Sequence, residues 1–202
     1  MRRPPVRFAS MPPIEIPMPE FEPPRPVSDG VLAVDNHVYF YADVTRATCL
    51  TLMEKLRTAA ATLRAVNYAD VPLVLHIMSD GGEAFAGLAV ADQMRQIGWP
   101  VHAIIEGLCA SAGTLIALAC ERVAIQRNAF MLIHSLSAGF DGSYEQVKDH
   151  TGMLEALNEA LIGFYVEHTS AERGRIEEMM KRDTWLTALK ALEVGIVHEV
   201  LG

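Results

Sequence analysis

The sequence predicts an α/β fold in which repeated βαβ units build a mainly parallel sheet. Short apolar, β-branched segments alternate along the chain with longer segments whose apolar residues recur at helical spacing. The chain also has 202 residues, of which 50% are hydrophobic, so it can bury a substantial core. We therefore expect right-handed crossovers between parallel strands, and one folded domain over residues 29–202.

Each element in turn follows from local patterning. Residues 38–41 form a short apolar, aromatic strand, and the helix predicted over 43–66 follows because its apolar residues share one stripe. An apolar run that ends at paired glycines predicts strand 71–78, and helical spacing resumes over 84–97. The remaining predicted elements are strand 100–105, helix 111–120, strands 122–126 and 129–134, helix 144–168, two short helices within 172–202, and terminal strand 197–201.

The N-terminal segment, residues 1–28, differs from the rest of the chain. Nine of the eleven prolines lie between Pro4 and Pro26. Such a segment cannot form a helix or a central strand, so we expect it to be extended or disordered. Three interpretations stay open: a propeptide, an arm that docks on a neighbour or partner, or an unstructured tail.

Composition narrows the classes of function. A net charge of −8 argues against a nucleic-acid partner, which would require a basic face. The longest apolar run, residues 107–120, is too short to span a bilayer, and no apolar segment follows Met1-Arg2-Arg3 as in a signal peptide. Three cysteines without close pairing indicate reduced thiols. We expect a cytoplasmic protein without a membrane partner.

Ser111 lies in a small-residue segment, Gly107-Leu108-Cys109-Ala110-Ser111-Ala112-Gly113, that leads into a predicted helix. A serine at the start of a helix lies beside unpaired backbone N–H groups and the positive end of the helix dipole, and both stabilise an oxyanion. Close helix packing is the alternative explanation for the small residues. The segment therefore makes Ser111 a candidate nucleophile.

Two further segments offer complementary chemistry. The turn Asp80-Gly81-Gly82 follows a strand and can expose amides to an anion, although it also suits an ordinary βα turn, and it lacks the phosphate-loop pattern. His134 ends an apolar strand, where sheets of this class keep their sites. No two histidines have the spacing of a zinc site, so we expect no metal and no other cofactor.

Four short blocks occur in a fixed order within residues 71–201. They are Ser79-Asp80-Gly81-Gly82, Gly107-x-x-Ala110-Ser111-x-Gly113, Met131-x-Ile133-His134, and Lys181-Arg182-Asp183-x-x-Leu186-Thr187-Ala188. The set resembles the ClpP family, the proteolytic subunits of Clp ATP-dependent proteases. The resemblance implies a ClpP/crotonase-like fold with a protruding handle helix, here helix 144–168.

The resemblance also implies roles for individual residues. Ser111 would be the nucleophile, His134 the base, and Asp183 the carboxylate that orients the histidine. The oxyanion-hole amides would belong to Gly82 and Ala112, and substrate contacts to Gly81, Glu83 and Leu136. The family assembles as stacked heptameric rings that cleave polypeptides, so a homo-tetradecamer is expected, with a Clp-type AAA+ ATPase as a candidate partner.

Two departures from the family pattern are visible. Asp80 stands where the family usually has proline, and Ser135-Leu136 replaces Gln-Pro after His134. We expect the Asp80 side chain to turn outward and to accept N–H bonds of the turn. Two other functions stay open, a catalytically inactive ring subunit and a crotonase-type acyl-CoA enzyme. The presence of all three triad residue types argues against both.

Overall fold

The structure is a computed structural model that describes residues 29–68 and 71–202. The proline-rich segment 1–28, expected to be extended or disordered, lies outside the described residues.

Eight strands in the described residues form one sheet. They are β1 (Val31–Val34), β2 (His37–Tyr41), β3 (Leu73–Ser79), β4 (Val101–Ala110), β5 (Arg122–Gln126), β6 (Phe130–Ile133), β7 (Thr184–Thr187) and β8 (Glu199–Leu201). The order is β1-β2-β3-β4-β5-β8, and β6 pairs with both β4 and β7. Only the β1–β2 and β6–β7 pairs are antiparallel. The predicted mainly parallel α/β fold is therefore confirmed.

The helices cover the sheet and close the core. They are α1 (Arg46–Ala65), α2 (Ala84–Met94), α3 (Ala112–Leu118), α4 (Tyr144–His168), α5 (Arg173–Met180) and α6 (Ala188–Glu193). Leu52 and Leu56 of α1 are fully buried, as are Leu75 and Ile77 of β3. Burial of each such side chain stabilises the fold by roughly 1.5–3 kcal/mol, so this core holds β3 and the turn that follows it in place.

The structure corrects the predicted elements in four places. β1 and β7 were not predicted, α2 ends at Met94 rather than at residue 97, and β4 continues to Ala110 rather than ending at 105. The extension of β4 has a clear cause. Residues 102–105 pair with β5, whereas residues 108–110 pair with β6. The small residues of the second segment suggest a turn, but pairing with β6 holds the segment in a strand.

Helix α4 has the predicted limits. Its start is defined by a capping box, in which Ser143 and Gln146 each accept the backbone N–H of the other. No residue of 144–156 is buried, whereas Leu157, Leu161, Ile162 and Tyr165 in the second half are. The predicted apolar stripe is thus divided: its second half packs against the domain, and its first half leaves Tyr144, Val147 and Met153 exposed.

Two further observations concern the cysteines and the helices. Cys49, Cys109 and Cys120 are all buried and free. Across residues 29–68 and 71–202, no helix has both the length and the apolar character needed to cross a membrane.

Candidate active site

Ser111 occupies a sharp turn between β4 and α3. Its φ of 51° and ψ of −127° lie in a region that residues with a side chain rarely adopt. The Ser111 N–H donates to the Leu132 carbonyl of β6 at 2.9 Å, which ties the turn to the neighbouring strand. Strain of this kind is held where the surrounding structure imposes it, and such positions cluster at active sites. The turn brings Ser111 to the wall of a cavity.

A buried hydroxyl pair supports this turn from behind. The Thr114 hydroxyl donates to the Ser111 carbonyl at 2.6 Å, and its oxygen lies 2.6 Å from the Tyr165 hydroxyl. Burial raises the pKa of Tyr165 to about 12, which keeps its hydroxyl protonated. Since a hydroxyl has one proton to donate, the Tyr165 O–H donates to Thr114. Both hydroxyl protons in this series of hydrogen bonds, which runs from Tyr165 of α4 to the Ser111 carbonyl, therefore have an acceptor.

Gly81 and Gly82 form the turn facing Ser111, and both positions require glycine. Gly81 has a φ of +98°, and a Cβ there would lie 2.6 Å from the Ser111 Cβ. Gly82 has a φ of +144°, and a Cβ there would lie 2.3 Å from the Val44 carbonyl oxygen. The Gly81 carbonyl accepts from Val44 N–H at 2.7 Å, and Glu83 N–H donates to Val44 at 2.8 Å. The turn is thus locked against the segment before α1.

Backbone N–H groups on both sides of Ser111 are without an acceptor among the described residues. The amides of Gly82 and Ala112 make no hydrogen bond with any residue that the structure describes, and both residues line the cavity beside Ser111. They belong to separate segments, the Gly-Gly turn and the first residue of α3. Donors of this kind can converge on one carbonyl oxygen and stabilise the negative charge that develops on it.

Asp80 is exposed, as expected, but the expectation that its carboxylate accepts the N–H bonds of the turn is wrong. The Gly81 N–H donates instead to the hydroxyl of buried Ser79 at 3.2 Å, and Asp80 is exposed. Ser79 is two residues from Gly81, a spacing at which a serine hydroxyl readily accepts a turn N–H. The carboxylate is therefore not needed to hold the turn.

His134 and Asp183, the candidate base and carboxylate, lie at the same end of the β6–β7 ladder. The last pair of that ladder is Ile133–Thr184, so His134 comes directly after it on one strand and Asp183 directly before it on the other. β6 also pairs in parallel with the end of β4, where Ala110 is opposite Leu132. Ser111 therefore follows the last residue of β4, His134 follows the last residue of β6, and Asp183 precedes the first residue of β7. No hydrogen bond joins the three side chains to one another within the described residues.

The cavity has a volume of about 440 Å³ and a mainly apolar wall. Ser111, His134, Gly82 and Ala112 occupy its polar side. The apolar side is formed by residues from four helices and from the segment after β6. They are Phe85 of α2, Leu115 of α3, Leu136 of that segment, Met180 of α5, and Met153, Leu154, Leu157, Leu161 and Tyr165 of α4. Such a pocket beside a nucleophile can bury an apolar part of a substrate.

The other predicted site residues divide into three groups. Glu83 and Leu136 line the cavity, and Glu83 also pairs with Arg46 at 3.3 Å. Gly81 lies behind Ser111 with its N–H and carbonyl both bonded within the protein. Asp183 is exposed and does not line the cavity.

The sequence analysis did not identify the wall contributed by α4, including His150. Its signal was the recurrence of apolar residues at helical spacing from Met153 to Tyr165, which equally predicts packing or a subunit contact. Among the described residues, no group of three or more His, Cys, Asp or Glu side chains is arranged to hold a metal ion.

Comparison with known proteins agrees with this geometry. The family model for Clp protease matches residues 30–202. ATP-dependent Clp protease proteolytic subunit 1 of Chlamydia muridarum is 30% identical over 179 residues, covering 87% of this chain and 91% of that protein. ATP-dependent Clp protease proteolytic subunit 2 of Treponema denticola is 33% identical over 134 residues, covering 65% of this chain and 67% of that protein. With a match that spans every described strand and helix, the chain belongs to the Clp protease family.

Proposed function

We propose that this chain is the proteolytic subunit of a Clp-type protease, a serine endopeptidase that cleaves unfolded polypeptides or small peptides. One observation carries the proposal. Ser111, His134 and two unpartnered amides line a single cavity, and Asp183 is next to His134 in strand register. The names of the two relatives, both proteolytic subunits of Clp proteases, support the same reaction.

The reaction follows from the roles of the three side chains. His134 accepts the proton of the Ser111 hydroxyl as its oxygen attacks the scissile carbonyl, and then gives that proton to the leaving amine. Asp183 orients the imidazole and stabilises its protonated form. Water then attacks the acyl-enzyme with His134 again as base. The connecting hydrogen bonds form when substrate is bound, since catalytic bonds are often long in the free enzyme.

The amides of Gly82 and Ala112 stabilise the tetrahedral oxyanion in this proposal. Removal of one such donor typically costs about 10²–10³ in kcat. Glu83 and Leu136 contact the substrate from the cavity wall. Gly81 acts instead through its close approach to Ser111, because its own backbone groups are already bonded.

The active unit is a ring assembly in the cytoplasm, with heptameric rings stacked into a tetradecamer. The first half of α4 supports this, because residues 144–156 are unburied in the single chain, and segment 137–142 beside it is also exposed. A Clp-type AAA+ ATPase is the proposed partner, since both relatives are named as ATP-dependent. Mass measurement in solution tests the assembly: a monomer that cleaves peptides at micromolar concentration would contradict it.

A fluorophosphonate probe tests the peptidase itself. We expect intact assembled protein to be labelled, and labelling to vanish in Ser111→Ala because that variant lacks the proposed attacking hydroxyl. Ser137→Ala is the matched control, since Ser137 lines the same cavity and should leave labelling unchanged. Absence of labelling in the assembled wild-type protein would contradict the proposal and favour an inactive ring subunit or a crotonase-type enzyme.

A further inference from the structure

Four polar side chains form a hydrogen-bonded network on one face of the central sheet. His37 and Tyr41 belong to β2, His76 to β3 and Glu106 to β4. Ile77, the neighbour of His76 in β3, is fully buried, so the network lies on the face of the sheet opposite to the main core. None of the four side chains lines the active-site cavity.

The carboxylate of Glu106 fixes the direction of the bonds in this network. Its Oε1 atom lies 2.9 Å from Nδ1 of His76, and its other oxygen accepts the hydroxyl proton of Tyr41. Burial opposes the charge of Glu106, but the bonds from Tyr41 and His76 prevail and hold the pKa of that carboxyl below its usual range. Because an ionised carboxylate only accepts, His76 donates through Nδ1, and in its neutral form its Nε2 accepts from Nδ1 of His37 at 2.9 Å. The network thus ties β2 and β3 to Glu106.

Glu106 and Gly107 form the junction at which β4 changes its neighbour. Residues 102–105, before the junction, pair with β5, and residues 108–110, after it, pair with β6. Among the described strands, neither junction residue has a register partner in β5 or β6. Gly107 has a φ of +65°, a conformation that favours glycine. The side-chain bonds of Glu106 therefore hold a piece of β4 that these two ladders leave unpaired.

The same junction changes the register between β3 and the segment that leads to Ser111. Before it, Ile77 is opposite Ile105. The next pair joins Ser79 to Cys109, so one residue of β3 stands beside three residues of β4. Such a bulge re-aims the residues that follow it, and bulges are common next to active sites. Here it brings Ser111, two residues beyond Cys109, against the Gly-Gly turn.

We propose that Glu106 is a positioning residue for Ser111: held by His76 and Tyr41, it fixes the bulge of β4 and so sets the place of the nucleophile beside the Gly-Gly turn. The inference rests on the proposed peptidase function. Glu106 does not line the cavity, so it acts through the backbone between it and Ser111. A displacement of a reacting group by about 1 Å can slow the reaction about 10²-fold.

Two substitutions of Glu106 separate its bonds from its charge. Glu106→Leu removes the acceptor of both His76 and Tyr41, and we expect kcat to fall about 10²-fold. KM should stay within about twofold of wild type, because no residue of the network lines the cavity. Glu106→Gln keeps an oxygen for His76, and its amide can donate to the Tyr41 oxygen, so its kcat should return to within about fivefold of wild type.

The test measures fluorophosphonate labelling of the assembled full-length protein, both its rate and its final extent, beside kcat and KM for a peptide. In Glu106→Leu we expect labelling about 10²-fold slower that still reaches the wild-type extent, because each site is intact but Ser111 is displaced. Partial unfolding would instead lower the final extent. Tyr41→Phe removes one bond to Glu106 and should slow labelling about fivefold, so it decides the question if Glu106→Leu does not fold.

His102→Leu is the matched control. His102 lies on β4 four residues before Glu106, so its side chain is on the same face of the sheet, but it precedes the junction. It makes no hydrogen bond with any residue that the structure describes. Its labelling rate should equal that of wild type, and a slowing equal to that of Glu106→Leu would overturn the specific role of Glu106.

The outcomes separate this inference from the proposed function. A wild-type rate in Glu106→Leu, a reduced final extent, or no recovery in Glu106→Gln overturns the role of Glu106, while labelling of Ser111 in the wild type keeps the peptidase. Absence of both cleavage and labelling in the assembled wild-type protein overturns the proposed function and this inference with it.

Discussion

His134 directly follows, and Asp183 directly precedes, the residues of Ile133–Thr184, the pair that ends the antiparallel β6–β7 ladder. Residues opposed in an antiparallel ladder have Cβ atoms about 4.5–5.5 Å apart, so continuation of this register by one step brings the two side chains within reach of a histidine–carboxylate hydrogen bond. The register therefore favours Asp183 as the proposed partner of His134. Asp141 and Asp149, the next two aspartates after His134, lie on the exposed connection and on the exposed start of α4.

Asp183→Asn is expected to reduce kcat by about 10³–10⁴, because an amide favours the wrong tautomer of His134. The melting temperature should stay near that of wild type, since Asp183 is exposed. Peptide hydrolysis and thermal unfolding measure the two effects, with Asp149→Asn as the control that keeps full activity. Retained turnover in Asp183→Asn would contradict the assignment and direct attention to Asp141 and Asp149.

Ser79→Ala and Asp80→Ala should differ sharply. The first leaves the buried Gly81 N–H without its acceptor, so we expect a loss of about 1–2 kcal/mol in the free energy of unfolding and slower labelling of Ser111. The second removes an exposed side chain and should be nearly neutral. Urea unfolding and probe labelling test this, and the reverse order of the two variants would show that the carboxylate holds the turn.

Gly81→Ala is expected to abolish labelling of Ser111. Its new methyl group would lie 2.6 Å from the Ser111 Cβ, at a backbone φ that alanine rarely adopts. Gly152→Ala on α4 is the control, because a Cβ there meets nothing within 4 Å. That substitution should stabilise the helix by about 0.5–1 kcal/mol and leave labelling intact. Equal labelling rates in the two variants would refute the close approach.

Thr114→Val should be more harmful than Tyr165→Phe. Valine leaves the Tyr165 hydroxyl buried without an acceptor and removes the bond to the Ser111 carbonyl, at a cost of about 2–3 kcal/mol. Phenylalanine removes a single donor while Thr114 still bonds Ser111, at a cost of about 1 kcal/mol. Chemical denaturation gives the stabilities, and the rate of fluorophosphonate labelling should follow the same order. Similar losses in both variants would argue against this hydroxyl pair as the support of the turn.

The buried thiol of Cys109 makes the free energy of unfolding depend on pH under alkaline conditions. Burial raises the pKa of Cys109 to about 12, whereas an unfolded thiol titrates near about 8.5. The unfolded chain therefore loses its proton first, and the free energy of unfolding falls as pH rises above about 8.5. Denaturation between pH 7 and pH 10 should show a smaller fall in Cys109→Ala. An identical pH dependence in the two proteins would contradict the burial effect.

Much of the fold is readable from periodicity because its helices and parallel strands are long and regular. Helix α4 is the clearest case, since its capping residues and its apolar spacing indicate the same limits. β7 and the second half of β4 were missed for a common reason. Both are strands because they pair with β6, a partner distant in sequence, and local propensity does not reveal such pairing.

The residues of the candidate site likewise include some that the sequence identifies and some that only the structure shows. Ser111, His134 and the Gly-Gly turn stand in short blocks whose order was informative without any structure. The support of the turn by Ser79 rather than Asp80 depends on which side chain is buried, which neighbouring residues of similar polarity do not disclose. His150 was missed for another reason: its place in the cavity wall is seen only once α4 packs against the domain.

β4 pairs with β5 over residues 102–105 and with β6 over residues 108–110. The proposed catalytic residues are therefore divided between two parts of the sheet. Ser111 directly follows β4, a strand of the main sheet, whereas His134 and Asp183 flank the same end of the β6–β7 ribbon. Three residue pairs, Leu108–Phe130, Cys109–Met131 and Ala110–Leu132, join the ribbon to β4. If the three residues act as proposed, a shift of the ribbon along these three pairs would change the distance from Ser111 to His134 but would keep His134 and Asp183 at the same end of the β6–β7 ladder.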